Sequence, residues 1–243
     1  MKILNFGSLN LDYVYQVESI LIPGETQASK DRKTFCGGKG LNQSIALAKA
    51  GIPVFHAGMI GEEGDILLET CRENGVNTDF IRKIQGPGGH TVIQVDKDGQ
   101  NCILLFGGAN RSITREFVDE VLSAFKKGDI LLLQNEINEL DYIIDRAHEK
   151  GMMIILNPSP YDKALEACDL AKVSLFLVNE IEGYQITGDE DIIFLYINDS
   201  DARVTFRSRI DGYTTQKVTV KGNSTLLDAE APTAPVGGEG NGN

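Results

Sequence analysis

The stretch Gly37-Gly38-Lys39-Gly40-Leu41-Asn42-Gln43-Ser44 sets three glycines and a lysine just ahead of a run of alanine and leucine. Glycine lets backbone approach a ligand closely, and the first turn of a helix carries N–H groups that lack intrahelical partners. Those free N–H groups, with Lys39 and Asn42 one turn in, could meet a polar ligand; equally, the glycines could simply turn the chain into a helix. A phosphate loop of the GxxxxGK[ST] type is excluded, because Lys33 stands where its first glycine must be. The dinucleotide pattern GxGxxG is absent here too, and the glycine-rich run at 237–242 opens no helix.

Other polar residues fall at comparable places. Asn10 and Asp12 follow the first apolar run at i, i+2, so they share a face if that segment is extended. Gln134, Asn135 and Glu136 close a second apolar run, Asn157 a third, and Asn179, Glu180 and Glu182 a fourth. One such ending is ordinary capping. Several at one rim of a sheet are a set of amides and carboxylates suited to a polyol, whose hydroxyls both donate and accept.

The elements that must position these residues alternate. Apolar runs 2–7, 54–59, 129–134, 152–157 and 174–179 read as buried parallel strands, with amphipathic helices between them. The helix after Gly40 stops at Gly51, a second ends at Gly75, and a third starts at an N-cap Thr114 and closes on Lys126, Lys127 and Gly128. This pattern predicts an α/β fold with a parallel sheet covered on both faces. Residues 13–35 and 89–106 break the rhythm with β-branched runs, the second around Asp98-Gly99, a hairpin signal. Together they predict a small β-sheet lid outside the main sheet.

Composition narrows the function. The 243 residues carry 42% hydrophobic content and a net charge of −12, which argues for one main domain with a small-molecule substrate and against nucleic-acid binding. No apolar run is long enough to span a bilayer and no signal peptide is evident, so a cytoplasmic protein is expected. Cys36, Cys71, Cys102 and Cys168 are too scattered for a disulfide framework or a metal clip and are expected to be reduced, mostly buried thiols. His56, His90 and His148 have no metal spacing and are expected to be structural or exposed. The acidic pairs Glu62-Glu63 and Glu139-Asp141 read as first-turn helix residues.

The motifs Gly-Ser-Leu-Asn-Leu-Asp, Pro-Gly-Glu-Thr, Gly-Gly-Lys-Gly-Leu-Asn-Gln-Ser, Gly-Gly-Ala-Asn, Leu-Leu-Gln-Asn-Glu, Asn-Pro-Ser-Pro and Val-Asn-Glu-Ile-Glu occur in the order found in ribokinase-type (PfkB) carbohydrate kinases. The chain resembles that family from Met1 to about Thr187. The resemblance implies a three-layer αβα sandwich with a mostly parallel central sheet and a β-lid, through which the protein pairs as a homodimer. It implies phosphorylation of a sugar hydroxyl, D-ribose being favoured, from ATP with Mg2+ and a monovalent cation such as K+. Asn10, Asp12, Gly38, Lys39, Gly40, Asn42 and Glu136 would surround the sugar, and Asn179 and Glu182 would lie on the nucleotide and magnesium side. A kinase of the same fold acting on fructose or a nucleoside, and a sugar-binding protein without transfer chemistry, are the alternatives.

The resemblance stops near residue 191. The family's Gly-Ala-Gly-Asp-like segment, which supplies the catalytic Asp and an anion cradle, has no counterpart, and Asp228 is only a formal substitute. Residues 192–243 are expected to form a polar hairpin around Asp211-Gly212 followed by a disordered tail, and to read as a truncated or out-of-frame ending. Negligible turnover is therefore expected of the chain as written.

Overall fold

The computed structural model describes residues 1–187, 218–220 and 227–229. In chain order the strands are β1 (Ile3–Phe6), β2 (Asn10–Gln16), β3 (Asp31–Gly37), β4 (Val54–Ile60), β5 (Asn77–Lys83), β6 (Gly89–Val95), β7 (Asn101–Phe106), β8 (Ile130–Gln134), β9 (Met153–Asn157), β10 (Leu175–Phe176), β11 (Val218–Val220) and β12 (Leu227–Ala229). The helices are α1 (Lys39–Lys49), α2 (Asp65–Glu73), α3 (Arg115–Ser123), α4 (Leu140–Glu149) and α5 (Glu180–Thr187).

Six strands form the central sheet in the order β10-β9-β8-β1-β4-β5, and every pairing in it is parallel. Parallel strands are buried on both faces, which is why their sequences are continuously apolar. Leu4, Phe6, Leu131 and Leu133 point to one face and pack with Val118, Val121, Leu122, Ile143 and Ile144 of α3 and α4. On the other face Leu41 of α1 and Leu67 and Cys71 of α2 close over Val54 and Ile60. Each fully buried Leu or Ile contributes on the order of 1.5–3 kcal/mol, so these two layers hold the sheet that carries the site.

The five apolar runs predicted as strands are β1, β4, β8, β9 and β10. The sixth, β5, was not visible as a run because its sequence Asn-Thr-Asp-Phe-Ile-Arg-Lys buries only Ile81 at the sheet edge. Thr114 caps α3 as expected, its hydroxyl accepting from Phe117 N at 3.2 Å. The helix ends at Ser123 rather than at the lysines, because Ala124 N and Phe125 N bond to Val121 and Leu122 carbonyls and tighten the last turn. Glu139 is the N-cap of α4 and Asp141 lies in its first turn. Glu62 and Glu63 are not helical; they sit in the turn before α2, where Glu63 Oε1 accepts from Gly88 N at 2.9 Å.

Strands β3, β2, β6 and β7 form the second sheet in that order, and the Asp98-Gly99 turn joins β6 to β7. β2 runs antiparallel to β3 and parallel to β6. Cys102 corrects the expectation of buried thiols: it is exposed on β7, every residue of which is exposed, whereas Cys71 and Cys168 are buried. The Asp211-Gly212 hairpin lies outside the described residues. Within residues 192–243, Leu227–Ala229 forms strand β12, antiparallel to β11.

Candidate functional site

Strand order alone locates the crevice. From β1 the chain moves outward through β4 and β5, then returns to lay β8 on the other side of β1, so the order reverses between β1 and β8. Ligands of open parallel sheets bind outside the carboxyl ends of the strands at such a reversal. Gly7–Asp12 leave β1 at that point and Asn135 and Glu136 leave β8 beside them.

The helix N-terminus between them corrects one expectation. Its N-cap Gly38 has φ of 96°, a backbone that L side chains rarely adopt, and offers no side-chain cap. The first-turn N–H groups are nevertheless not free. Lys39 N donates to Glu136 Oε2 at 3.1 Å, Gly40 N to Ser8 Oγ at 3.2 Å and Leu41 N to the Ser8 carbonyl at 2.9 Å. The helix is capped by residues from the ends of β1 and β8, a physical solution to a cap residue without a side chain. Only glycine fits at position 40, where a Cβ would stand 2.4 Å from Ser8 N.

Glu136 is the centre of the arrangement. It is 6% exposed, and its carboxylate also takes the Lys39 ammonium at 3.0 Å and the Ser8 hydroxyl. Its place at the positive end of α1 favours a negative charge there. Asp12, on β2, accepts from the Thr91 hydroxyl of β6 at 2.6 Å, and its other oxygen lies over Gly37. Burial raises the Asp12 carboxyl above its usual range; the Thr91 bond lowers it, Glu136 raises it further and Lys39 lowers it. Asp12, Lys39 and Glu136 therefore share one electrostatic neighbourhood, two carboxylates about one ammonium.

Asn10 is buried beside them, its Oδ1 taking a bond from Asn110 Nδ2 at 2.7 Å, while Asn110 Oδ1 accepts from Leu9 N at 3.0 Å. Asn42 is exposed in the first turn of α1, and its side chain has no hydrogen-bond partner among the described residues. The other strand endings serve local structure. Asn135 Nδ2 donates to the Pro160 carbonyl and to Asp162, and Asn157 Oδ1 accepts from Ser159 N. Asn179 and Glu182 form a reciprocal capping box on α5: Glu182 N donates to Asn179 Oδ1 at 2.8 Å, and Asn179 N to Glu182 Oε2 at 3.1 Å. They make no described hydrogen bond to the Asp12–Glu136 group.

Sequence reasoning missed Ser8, Thr91 and Asn110, the partners that orient Glu136, Asp12 and Asn10. Ser8 and Asn110 lie inside quoted motifs, so the signal was present without a role attached to it. Also missed was a buried chain of polar groups beneath the glycines. Asn5 Nδ2 donates to the Gly40 carbonyl at 2.7 Å and to Ser44 Oγ at 2.8 Å, Ser44 lies 2.8 Å from His56 Nδ1, and Gln134 Nε2 donates to Asn5 Oδ1 and to Gln43. His56 is thus structural and fully buried, while His148 is exposed on α4.

With this geometry in place the family is defined. Residues 1–205 match the pfkB family of carbohydrate kinases, and the chain belongs to it. The ribokinase of Arabidopsis thaliana is 32% identical over 205 residues, covering 81% of this chain and 54% of that protein. The ribokinase of Staphylococcus aureus (strain COL) is 34% identical over 195 residues, covering 77% of this chain and 63% of its own. Among solved structures, Arabidopsis thaliana ribokinase complexed with ribose and ATP superposes with a TM-score of 0.66 at 28% identity, over 79% of this chain and 64% of that one. The chain thus spans about half of the first of these relatives. No helix among the described residues is long and apolar enough to cross a membrane.

Proposed function

We propose that this chain is the sugar-binding part of a ribokinase-type enzyme that transfers a phosphoryl group from ATP to a hydroxyl of D-ribose. The observation that carries this reading is the gathering of Asn10, Asp12, Lys39 and Glu136 at the reversal of strand order, with the Gly38–Gly40 backbone between them. Carboxylates and amides held by buried partners match a ligand whose hydroxyls each donate and accept. A sugar hydroxyl donating to Asp12 and another to Glu136 would replace water there, with Asn42 closing the rim. The names of the relatives and the ribose and ATP of the solved neighbour support the same substrates.

ATP would enter with Mg2+, which supplies charge neutralisation to the transferring phosphates. Magnesium takes hard oxygen donors and keeps several waters, so a single carboxylate such as Glu182, beside the Asn179 amide, fits its needs. Glu182 Oε1 takes no part in the capping box. The general base is not assigned to any described residue, and neither is a site for a monovalent cation. Calorimetry with D-ribose followed by an ADP-release assay tests the reading. Ribose binding supports it, with negligible ADP release the result expected of the chain as written; turnover at ordinary kinase rates would overturn that expectation, and no ribose binding beside binding of fructose or a nucleoside moves the acceptor.

Asp12→Ala and Asn42→Ala are each expected to weaken ribose binding by roughly 1–3 kcal/mol, the usual cost of unpairing a polar contact. Their stabilities should differ. Asn42 is exposed, so its variant should stay within about 0.5 kcal/mol of the parent in denaturant unfolding. Unchanged ribose affinity in both variants overturns the site.

The second sheet is proposed as a lid over the sugar and as a dimer contact. Its strands β3 and β7 are edges with no further strand paired to them among the described residues, and Ile103, Leu104 and Phe106 are exposed large apolar residues, Leu104 at 71%. Light scattering is expected to show a dimer that Leu104→Asp weakens at least tenfold. A strict monomer at high micromolar concentration would refute the pairing.

A further inference from the structure

We infer that Ser8 is a positioning residue of the sugar site, its hydroxyl holding the Glu136 carboxylate against the glycine cradle; this rests on the ribose-site reading above. Ser8 is fully buried in the loop between β1 and β2. One hydroxyl makes two contacts across the reversal of strand order, accepting from Gly40 N at 3.2 Å and donating to Glu136 Oε2. The Ser8 carbonyl accepts from Leu41 N at 2.9 Å, so the residue is tied to α1 through backbone as well.

The consequence concerns Glu136. Its side chain reaches the cradle from β8, and its Oε2 meets both the Ser8 hydroxyl and Lys39 N, while Oε1 meets Lys39 Nζ. The Lys39 ammonium is a rotatable donor on a flexible stem, with its side chain 37% exposed, and does not fix a carboxylate plane by itself. The Ser8 hydroxyl is on rigid backbone at the end of a core strand and supplies the fixed point. With Ser8 present, the carboxylate presents one edge to α1 and leaves its remaining acceptor capacity toward the crevice. Without the hydroxyl the carboxylate can swing toward the lysine, away from Lys39 N and from the sugar. Precise placement of hydrogen-bonding groups by such buried supports is what a hydroxyl-reading site requires.

Ser8→Ala tests this by two independent readouts. The first is amide hydrogen exchange at Lys39 and Gly40 in the absence of sugar. Gly40 N bonds Ser8 directly, but Lys39 N bonds only Glu136, so faster exchange at both amides is the result expected of a displaced carboxylate. Faster exchange at Gly40 alone would mean that Ser8 merely caps the helix, and overturns the proposal. This readout stands even if D-ribose fails to bind, a result that would strike the ribose reading and leave Ser8 to be judged by exchange. The second is calorimetric D-ribose affinity, expected to fall about tenfold in Ser8→Ala but by less than threefold when the same change is made in Glu136→Gln, because Ser8 acts through Glu136. Equal losses in the two backgrounds overturn it. Ser8→Cys, close in size and a weaker donor, gives the same two readouts should the alanine variant not unfold cooperatively.

Discussion

Glu136→Ala is expected to lose roughly 2–4 kcal/mol of folding stability and all measurable ribose binding. The carboxylate accepts from the buried Ser8 hydroxyl, the Lys39 amide and the Lys39 ammonium, and all three lose that acceptor once it is gone. Breaking one side of a buried ion pair costs about 3–5 kcal/mol when both charges are enclosed. The Lys39 side chain is 37% exposed and can rehydrate, which brings the expected loss down to roughly 2–4 kcal/mol. Glu136→Gln keeps the shape and one acceptor and should lose less stability, while still losing the charge that α1 and Lys39 attract. Chemical denaturation of the three proteins, with ribose calorimetry beside it, measures both effects. An alanine variant within about 0.5 kcal/mol of the parent would show that Glu136 does not hold the cradle.

His56 gives the second large effect, and its direction in pH is fixed. Burial lowers its imidazole from 6.5 to about 4, with the Gly7 carbonyl pulling the other way. Nε2 donates to that carbonyl and Nδ1 accepts from Ser44, the assignment that satisfies both partners. The unfolded chain therefore binds a proton below pH 6.5 that the folded chain refuses until about pH 4. Stability is fully present above pH 6.5 and falls as pH drops through this window, by roughly 3 kcal/mol in total, before levelling off below it. Unfolding free energies at a series of pH values should trace that loss, and His56→Gln should flatten it. A His56 imidazole resonance titrating near 6.5 in the folded protein would refute the argument. Because the same polar chain holds the Gly40 carbonyl through Asn5, ribose affinity should decline in acid as well. Asp12 should add to that decline: its raised carboxyl takes a proton at a higher pH than usual and loses the charge that strengthens acceptance from the proposed sugar hydroxyl.

How much of this was legible in the sequence follows from the range of the forces involved. The central strands were legible because each buries both faces and must be apolar along its length, as in Ile130–Gln134. Strand β5 was not, because an edge strand with one buried residue has a polar sequence. The second sheet was legible through the Asp98-Gly99 turn, a local signal. Asp12, Lys39 and Glu136 were found as motif residues, and the structure brings them together. What failed was the reading of the α1 amides as free. Their acceptors lie far away in sequence, Glu136 being 97 residues from Lys39, and no local pattern announces a cap supplied from another strand. Thr91 escaped for the same reason, lying on a strand of the second sheet whose neighbour only the fold defines. For Asn179 and Glu182 the i, i+3 spacing is itself the signature of a capping box, a local reading that sits beside the nucleotide role proposed for them.

The parallel pairing of β2 with β6 has a consequence for the order of assembly. Asp12 and Thr91 are 79 residues apart, and between them the chain must complete β3, α1, β4, α2 and β5. Closing so long a loop is entropically unfavourable until the intervening elements have compacted it, and contacts of that separation form late. The antiparallel hairpin β6–β7 can form early on its own, but β2 can join it only once half of the central sheet exists. The site, which also needs the Ser8–Glu136 contact across 128 residues, then matures late. During refolding, helical circular dichroism should recover first and ribose binding should lag behind it, so that molecules stalled before β2 meets β6 carry formed helices and an unpaired strand edge. Such molecules, rather than the fully unfolded chain, would be the species that aggregate during synthesis.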